Sequence, residues 1–181
     1  MTNSIIVKAF GGPEELKWTE SERPYPDKHE VLIKTSAIGL NFIDTYHRQG
    51  LYPLSLPFVP GVESTGVITE IGRNVTGFRP GDRVACISDP VGAYTTDRVF
   101  PSNKLIKLPR TISDHTAAAV MLKGLTAAML VRRVYKISAG ETILIHAAAG
   151  GVGLILTQWA KALGAIVIGT VGSKKKATLI K

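Results

Sequence analysis

The stretch ETILIHAAAGGVG, residues 141–153, decides the fold of this chain. Its first part, Thr142 to Ile145, is a short apolar run of the kind that forms a buried parallel strand. The turn that follows contains Ala148-x-Gly150-x-x-Gly153, which matches the dinucleotide-binding pattern G-x-G-x-x-G with alanine at the first glycine. The stretch therefore predicts a strand, a tight turn and the start of a helix.

Downstream of this turn, the sequence completes a β-α-β unit. Apolar side chains recur at spacings of three and four residues from Val152 to Leu163, which predicts an amphipathic helix that ends at Gly164. Ile166-Val167-Ile168 predicts the second strand. The order of elements is the one that a dinucleotide-binding unit requires.

The chemistry of the turn points to a diphosphate ligand. Two phosphates need backbone N–H donors and the positive end of a helix dipole, and large side chains on the turn would hold them away. The structural alternative is a glycine-rich turn in an unrelated α/β domain. We expect the cofactor-binding residues of the turn to be Ala148, Gly150, Gly151, Val152 and Gly153.

The residues after the second strand indicate which nicotinamide cofactor is preferred. Sites for NAD place an acidic residue there to bind the ribose hydroxyls, whereas residues 169–176 read GTVGSKKK. A hydroxyl and positive charge suit a 2′-phosphate, so Ser173 and the lysines at 174–176 predict NADPH rather than NADH. The alternative is a lysine run that is simply solvated.

The charge of the chain is unevenly distributed. Residues 1–120 hold 13 basic and 13 acidic residues, whereas residues 121–181 hold nine basic residues and only one acid, Glu141. The whole net charge of +8 therefore lies in the segment with the predicted phosphate-binding turn, which fits an anionic cofactor. A nucleic-acid surface is the rival reading, but the basic residues are not interleaved with aromatics and no nucleic-acid motif is present.

Composition places the chain among ordinary globular proteins. Apolar residues make up 45% and charged residues 20%, and Cys86 is the single cysteine. One cysteine excludes an internal disulfide and fits a reducing compartment. Without a signal peptide or an 18-residue apolar run, the sequence predicts a cytoplasmic protein that does not span a membrane.

The first two-thirds of the chain predict a small β-barrel-like domain, because short β-type runs alternate with Gly and Pro turns. The predicted strands are Ile5–Phe10, Val31–Ile38, Ser64–Ile71, Arg83–Ile87, Ala93–Phe100 and Lys104–Leu108.

Two helices are predicted in and after this domain. The first begins near Asn41 and ends before Gly50. Ser113 is placed to cap the second, which extends to Tyr135 with an interruption near Gly124.

The chain resembles the zinc-free NADPH:quinone oxidoreductases of the medium-chain dehydrogenase/reductase superfamily, the relatives of zeta-crystallin. The resemblance implies a GroES-like β-rich catalytic domain over residues 1–122. It also implies the first β-α-β unit of a Rossmann NADP-binding domain over residues 123–181, incomplete relative to the family. The stretches that carry it are GGPE at 11–14, AIGLNFID at 37–44, RQGLYP at 48–53, GDRV at 81–84, KGLT at 123–126 and HAAAGGVG at 146–153.

One departure from the wider superfamily concerns metal. Zinc-dependent members carry Gly-His-Glu-x-x-Gly, whereas residues 61–66 here read GVESTG, so Val62 replaces a metal ligand. We therefore expect no metal site. The resemblance implies hydride transfer from NADPH to an activated acceptor, a quinone or a conjugated enone, without a Lewis acid.

The resemblance also assigns roles to individual residues. Asn41 would contact the nicotinamide end or the acceptor, and Tyr46 and Tyr52 would line the quinone pocket. Each residue also has a purely structural alternative. Asn41 would be only a helix cap, and the two tyrosines would be packing aromatics. Asp44 would be a surface acid, and Lys123 would be a solvated lysine. The implied catalytic residues are Asn41, Tyr46 and Tyr52, and the further implied cofactor-binding residues are Asn41, Asp44, Lys123, Thr126 and, at the 2′-phosphate, Lys176.

Two classes of function stay open at this point. The first is an NADPH-dependent quinone reductase; the second is a non-catalytic cofactor-binding or scaffolding fragment of such an enzyme, with weak affinity for nucleic acid. The chain is short for the family, and a two-stranded parallel sheet leaves an apolar edge uncovered. We expect that edge to be covered in one of three ways: by a second copy of the chain in a homodimer, by another partner chain, or by a missing half of the fold.

Overall fold

The structure is a computed structural model that describes residues 1–87 and 89–180. It divides into two compact units, Met1–Ala119 and Val120–Lys181, here called the N-terminal and the C-terminal unit. Lys181, the last residue of the predicted Rossmann segment, lies outside the described residues. Each unit has a hydrophobic core of its own.

The N-terminal unit is rich in β-structure, as predicted. Its strands are β1 (Thr2–Ile6), β2 (Lys17–Ser21), β3 (Glu30–Gly39), β4 (Glu63–Ile71), β5 (Arg83–Ile87), β6 (Asp97–Pro101) and β7 (Ile106–Lys107). Five of them form an antiparallel sheet in the order β6-β3-β4-β5-β7, and β1 and β2 form a separate antiparallel pair. The core of the unit lies on one face of the sheet and consists of Val31, Ile33, Ile68, Val84, Cys86 and Phe100.

Several predicted strand boundaries are wrong. The first strand lies earlier than residues 5–10, because after Ile6 the chain keeps only an isolated bridge from Val7 to Phe58. The runs at residues 93–100 and 104–108 contain strand only at β6 and β7, and a 3₁₀ turn, Ser102–Lys104, separates these two. Strand β2 was not predicted, because its side chains are mostly exposed and lack apolar alternation.

The first predicted helix is confirmed as α1, Phe42–Gln49. Asn41 is its N-cap residue with an extended backbone, and the carboxylate of Asp44 accepts a hydrogen bond from the main-chain N–H of Asn41. At the other end, Gly50 adopts φ +77°, a left-handed conformation that favours glycine. Both ends of α1 are therefore set by the residues that predicted them.

The second predicted helix is α2, Asp114–Met129. The Oγ of Ser113 accepts a hydrogen bond of 3.1 Å from the main-chain N–H of Thr116, which confirms the predicted cap. The predicted interruption at Gly124 is wrong, because α2 continues through it. One glycine costs a helix about 1 kcal/mol, which the alanine, leucine and methionine residues around it outweigh. A π-helical turn, Leu130–Val134, follows.

The C-terminal unit confirms the predicted order of strand, turn, helix and strand. Its elements are β8 (Thr142–Ile145), α3 (Gly151–Ala162), β9 (Ile166–Gly169) and α4 (Lys174–Leu179). The two strands pair in parallel, and α3 ends before Gly164, which has φ +87°. Helix α4 was not predicted from the sequence. The core consists of Ile145, Ala148, Ala160 and Ala165.

One face of the parallel pair carries exposed apolar side chains. Leu144, Ile166 and Ile168 are 57%, 59% and 54% exposed. The partner that we expect to cover this part of the sheet stays a prediction. Over residues 1–87 and 89–180, no helix combines the length and the apolar character needed to cross a membrane.

Candidate functional site

The turn between β8 and α3 is fixed by hydrogen bonds to the second strand and within itself. The N–H of Ala148 donates to the carbonyl of Thr170 over 3.0 Å, and the N–H of Thr170 donates to the carbonyl of Ile145 over 2.9 Å. Ala147 adopts φ +52°, which is uncommon for a residue with a Cβ, and its carbonyl accepts the N–H of Gly150. The turn therefore has one defined backbone path.

The third small residue of the predicted pattern brings the helix close to this turn. A Cβ at Gly153 would lie 2.2 Å from the carbonyl oxygen of Ala147 and 2.8 Å from the Cα of Ala148. No side chain fits at that distance, so only glycine allows α3 to pack here. Close packing of the helix on the strand is the role that the third glycine has in the dinucleotide-binding pattern.

The start of α3 leaves its first N–H groups uncapped by a side chain. Gly150 is the N-cap residue and has no side chain to donate or accept, and the first turn contains no acidic residue. The first N–H groups of an α-helix have no partner within the helix, and the helix dipole adds positive potential there. Gly151 and Val152 occupy the first two helical positions, so the turn is suited to an anion.

Lys123 lies beside this helix start. Its Cδ and Cε are 2.9 and 3.0 Å from the position that a Cβ on Gly151 would occupy. The structure thus brings together two residues that the sequence analysis placed in the cofactor site for separate reasons. The hydroxyl of Thr126 donates to the carbonyl of Leu122 over 2.8 Å, within its own helix. The cofactor-binding role of Thr126 stays a prediction.

The two residues proposed for the 2′-phosphate are neighbours at the start of α4. The Oγ of Ser173 accepts the main-chain N–H of Lys176 over 3.3 Å and so caps this short helix. Both residues are exposed, as are Lys174 and Lys175. The Ser173 hydroxyl therefore lies close in sequence to the three lysines, and it also caps α4.

In the N-terminal unit, Asn41 is held by two buried carboxylates. Its main-chain N–H donates to Oδ2 of Asp44 over 3.0 Å, and its side-chain Nδ2 donates to Oε2 of Glu63 over 2.8 Å. Glu63 is 1% exposed and Asp44 4% exposed. Asn41 and Asp44 were predicted site residues, whereas Glu63 was not.

Asp44 has a second partner, Tyr94. The hydroxyl of Tyr94 donates to Oδ2 of Asp44 over 3.0 Å. Burial raises the pKa of Asp44, against the effect of its hydrogen bonds. Burial, together with the neighbouring carboxylate, also raises the pKa of Tyr94. Asp44 is therefore a buried, hydrogen-bonded acid rather than a surface acid, and its role in binding the cofactor stays a prediction.

The two tyrosines predicted for the acceptor pocket lie together. The rings of Tyr46 and Tyr52 are 5.6 Å apart at 84°, an edge-to-face arrangement. Phe42, one turn before Tyr46 on α1, lies 6.3 Å from it and is 80% exposed. These three rings form an aromatic cluster in which Tyr46 is half-buried and the other two rings are exposed, and Phe42 was not predicted as part of it. Its spacing of four residues from Tyr46 was the available signal.

The available signal for Glu63 was an acidic residue directly after Val62 and next to the predicted strand Ser64–Ile71. Glu63 begins β4, and the side chains of Val62 and Glu63 are both buried. A fully buried glutamate is uncommon and normally has a partner. Among residues 1–87 and 89–180, no group of three His, Cys, Asp or Glu side chains is arranged to hold a metal ion.

Comparison with known proteins gives consistent similarities. The profile of the alcohol dehydrogenase GroES-like domain matches residues 27–110. The quinone oxidoreductase of Pseudomonas aeruginosa is 50% identical over 182 residues, which cover 100% of this chain and 56% of that protein. The 2-haloacrylate reductase of a Burkholderia species is 43% identical, over 98% of this chain and 55% of that protein.

A solved structure is similar over the same extent. The crystal structure of Escherichia coli quinone oxidoreductase complexed with NADPH has a TM-score of 0.95 and 45% sequence identity, and the match covers 99% of this chain and 55% of that one. The chain thus spans about half the length of the proteins it matches.

Proposed function

Since this chain belongs to the quinone oxidoreductases of the medium-chain dehydrogenase/reductase superfamily, we propose that it takes part in NADPH-dependent reduction of a quinone. The observation that carries the proposal is the turn at residues 147–153. There Gly153 lets α3 approach the strand, and Lys123 lies beside Gly151. The chain is 45% identical to an enzyme crystallised with NADPH.

The C-terminal unit would hold the nucleotide. The N–H groups at the start of α3 would bind the diphosphate, and the ammonium of Lys123 would add positive charge. Ser173 and Lys176 would bind the 2′-phosphate, since the chain has no acid at that place. The net positive charge of residues 121–181 would favour binding of this polyanion.

The N-terminal unit would supply the residues at the reacting end. NADPH, when bound, supplies the hydride. Asn41 would contact the ligand with an orientation fixed by Asp44 and Glu63, and Tyr46 and Tyr52 would provide an apolar surface for a flat acceptor. The main contribution of these residues would be to position the reactants and to exclude water.

A quinone suits a site in which Val62 replaces a histidine ligand. An acceptor that is already conjugated takes a hydride without polarisation by a metal. A second candidate is an activated alkene, because a relative with 43% identity is named 2-haloacrylate reductase. Quinones and such alkenes share the conjugated carbonyl, so the same aromatic surface would accept either.

We also propose a cellular compartment for the protein and a partner for its exposed apolar face. A single cysteine that is buried fits the cytoplasm. The exposed apolar face formed by Leu144, Ile166 and Ile168 would be covered in the working enzyme, by a second copy of the chain or by further sheet.

One assay tests the proposed function. The purified chain is mixed with NADPH and a small quinone, and the absorbance of the reduced nicotinamide is followed. Turnover supports a reductase. Binding of NADPH without turnover supports the alternative, a non-catalytic cofactor-binding or scaffolding fragment. Absence of NADPH binding contradicts both.

A further inference from the structure

Among its described residues, the N-terminal unit contains a buried arginine without an acidic partner. Arg98 lies on β6 and is 4% exposed. Its Nη1 donates to Oγ of Ser64 over 2.9 Å, and its Nη2 donates to the carbonyl oxygen of Pro90. No carboxylate within residues 1–87 and 89–180 forms an ion pair with Arg98, so its partners there are neutral oxygens.

The positive charge of Arg98 is costly to bury in this way. An arginine stays protonated in proteins, and a charge that is taken out of water needs an opposite charge to replace its lost hydration. Burial lowers the pKa of Arg98 for the same reason. The guanidinium carbon lies 4.6 Å from the centre of the Phe100 ring, but this cation–π contact offsets only part of the cost. An anion beside Arg98 would offset the rest.

Arg98 borders an open cavity of about 550 Å³. Val91 and Gly92 also line this cavity, and they directly follow Pro90, whose carbonyl oxygen the guanidinium contacts. The charged end of Arg98 therefore lies at the edge of the cavity. A guanidinium has five N–H donors in a planar fork, so its bonds to Ser64 and Pro90 leave donors for a further acceptor.

The other walls of the cavity combine hydroxyl groups with apolar side chains. The hydroxyls belong to Thr2, Ser4 and Thr95, and the apolar side chains include Leu54 and Phe58. These five residues and Arg98 define what we call the Arg98 cavity. Its volume, with apolar walls and a few polar groups, is typical of a site for a small molecule. Inorganic phosphate would leave the apolar walls uncovered, whereas a carboxylate with a short hydrocarbon chain matches both parts.

Two acidic residues also line the cavity, and neither compensates the charge of Arg98. Oδ1 of Asp97 lies 3.9 Å from Nε of Arg23, and Oδ2 of Asp97 accepts a hydrogen bond from the hydroxyl of Thr96 over 2.9 Å. Glu22 is exposed, so water and salt screen its charge. The two acids therefore leave the charge of Arg98 to be compensated by a ligand.

We propose that the Arg98 cavity binds a small organic carboxylate. The two oxygens of such a ligand accept paired hydrogen bonds from the guanidinium, and its hydrocarbon part packs against Leu54 and Phe58. Within the described chain, none of the residues that we propose for NADPH or for the acceptor lines this cavity. The Arg98 cavity is therefore a second ligand site, and it does not depend on the proposed function.

Calorimetric titration with butanoate tests the proposal, at an ionic strength that sodium chloride holds constant. Wild type should bind butanoate at a saturable site. Phosphate, titrated in the same way, should bind roughly ten-fold more weakly, because burial of the hydrocarbon chain contributes about that much. A wild-type chain that binds no butanoate, or that binds phosphate equally well, would overturn the proposal.

Arg98→Met removes the charge and keeps an unbranched apolar side chain. It should weaken butanoate binding roughly ten-fold or more, because a hydrogen bond to a charged group contributes about that much. Arg79→Met is the matched control and should bind like wild type, since the Arg79 side chain is 85% exposed and lies outside the cavity lining. Equal affinity in Arg98→Met and wild type would contradict the site.

Urea unfolding distinguishes a ligand site from a purely structural arginine. Butanoate should raise the free energy of unfolding of wild type and of Arg79→Met, but not that of Arg98→Met. A stability difference between wild type and Arg98→Met that is the same with and without butanoate would mean that Arg98 only supports the fold, and would overturn the proposal.

A second variant applies if Arg98→Met does not fold. Ser55 is exposed and lines the cavity, so Ser55→Asp adds a competing negative charge there without disturbing the core. Relative to Ser55→Asn, which has the same size and no charge, it should weaken butanoate binding about five-fold. Equal affinities of these two variants would overturn the proposal.

Discussion

Gly153 packs against the carbonyl oxygen of Ala147 so closely that a Cβ on Gly153 would be 2.2 Å away. The contact joins the start of α3 to the turn that leaves β8. It sets the position of the helix N–H groups that we propose as the diphosphate site. Binding at the proposed diphosphate site should thus depend on the absence of a methyl group at Gly153.

Gly153→Ala should destabilise the chain and abolish NADPH binding. The new methyl group meets backbone atoms that cannot rotate away, and overpacking of this kind costs about 1–3 kcal/mol. Urea unfolding and a nucleotide titration measure the two effects. Gly172→Ala is the matched control, because a Cβ there has no atom within 4 Å. Normal binding by Gly153→Ala would show that the close approach is not needed.

Lys176→Ala should weaken NADPH about five-fold and leave NADH unchanged, because an exposed charge pair contributes about 1 kcal/mol. Dissociation constants for both nucleotides measure the effect. Lys175→Ala, with the same loss of charge one residue earlier, controls for general electrostatics. Equal loss of both nucleotides in Lys176→Ala would place the 2′-phosphate elsewhere.

Asp44→Asn should alter how stability depends on pH. Burial raises the pKa of Asp44 above its usual value of about 3.9, so the folded state binds the proton more tightly than the unfolded state. The stability that this gives is fully present below about pH 4 and is lost as pH rises through the folded-state pKa. The free energy of unfolding of Asp44→Asn, relative to that of wild type, should therefore increase as pH rises above about 4.

Tyr94→Phe extends this prediction. The hydroxyl of Tyr94 lowers the pKa of Asp44 through its hydrogen bond, so its removal should raise that pKa further and enlarge the difference. Urea unfolding of the three proteins at a series of pH values gives the comparison. A difference between Asp44→Asn and wild type that does not vary with pH would contradict a raised pKa.

Cys86 should not react with thiol reagents in the folded chain. It is fully buried in the core of the N-terminal unit, and burial raises the pKa of its thiol to about 11. A disulfide reagent at mildly alkaline pH should report no free thiol until denaturant is added, and then one per chain. Rapid reaction without denaturant would mean that this core is open.

The sequence predicted the parts of the fold that local chemistry determines. The β8-turn-α3-β9 unit and the ends of α1 depend on glycines and caps that lie next to the elements they limit, as Gly50 and Gly164 show. The interruption at Gly124 was wrong because a single weak residue does not end a helix that its neighbours favour.

The site was predictable only where its residues carry a pattern. Asn41 and the glycine turn do, but Glu63 and Tyr94 act through contacts between residues 22 and 50 positions apart. The tertiary fold brings these residues together, and no regular spacing along the chain indicates that they are in contact. Strand β2 was missed for a related reason, since its exposed side chains give no periodic signal.

The most direct test of the account is a titration of the isotopically labelled chain with NADPH, followed by the main-chain N–H signals. The account predicts that the largest shifts fall on residues 149–154. It also predicts that nicotinamide mononucleotide, which has one phosphate, produces much smaller shifts there. Unchanged signals at this turn at saturating NADPH would contradict the claim that the chain holds a diphosphate there.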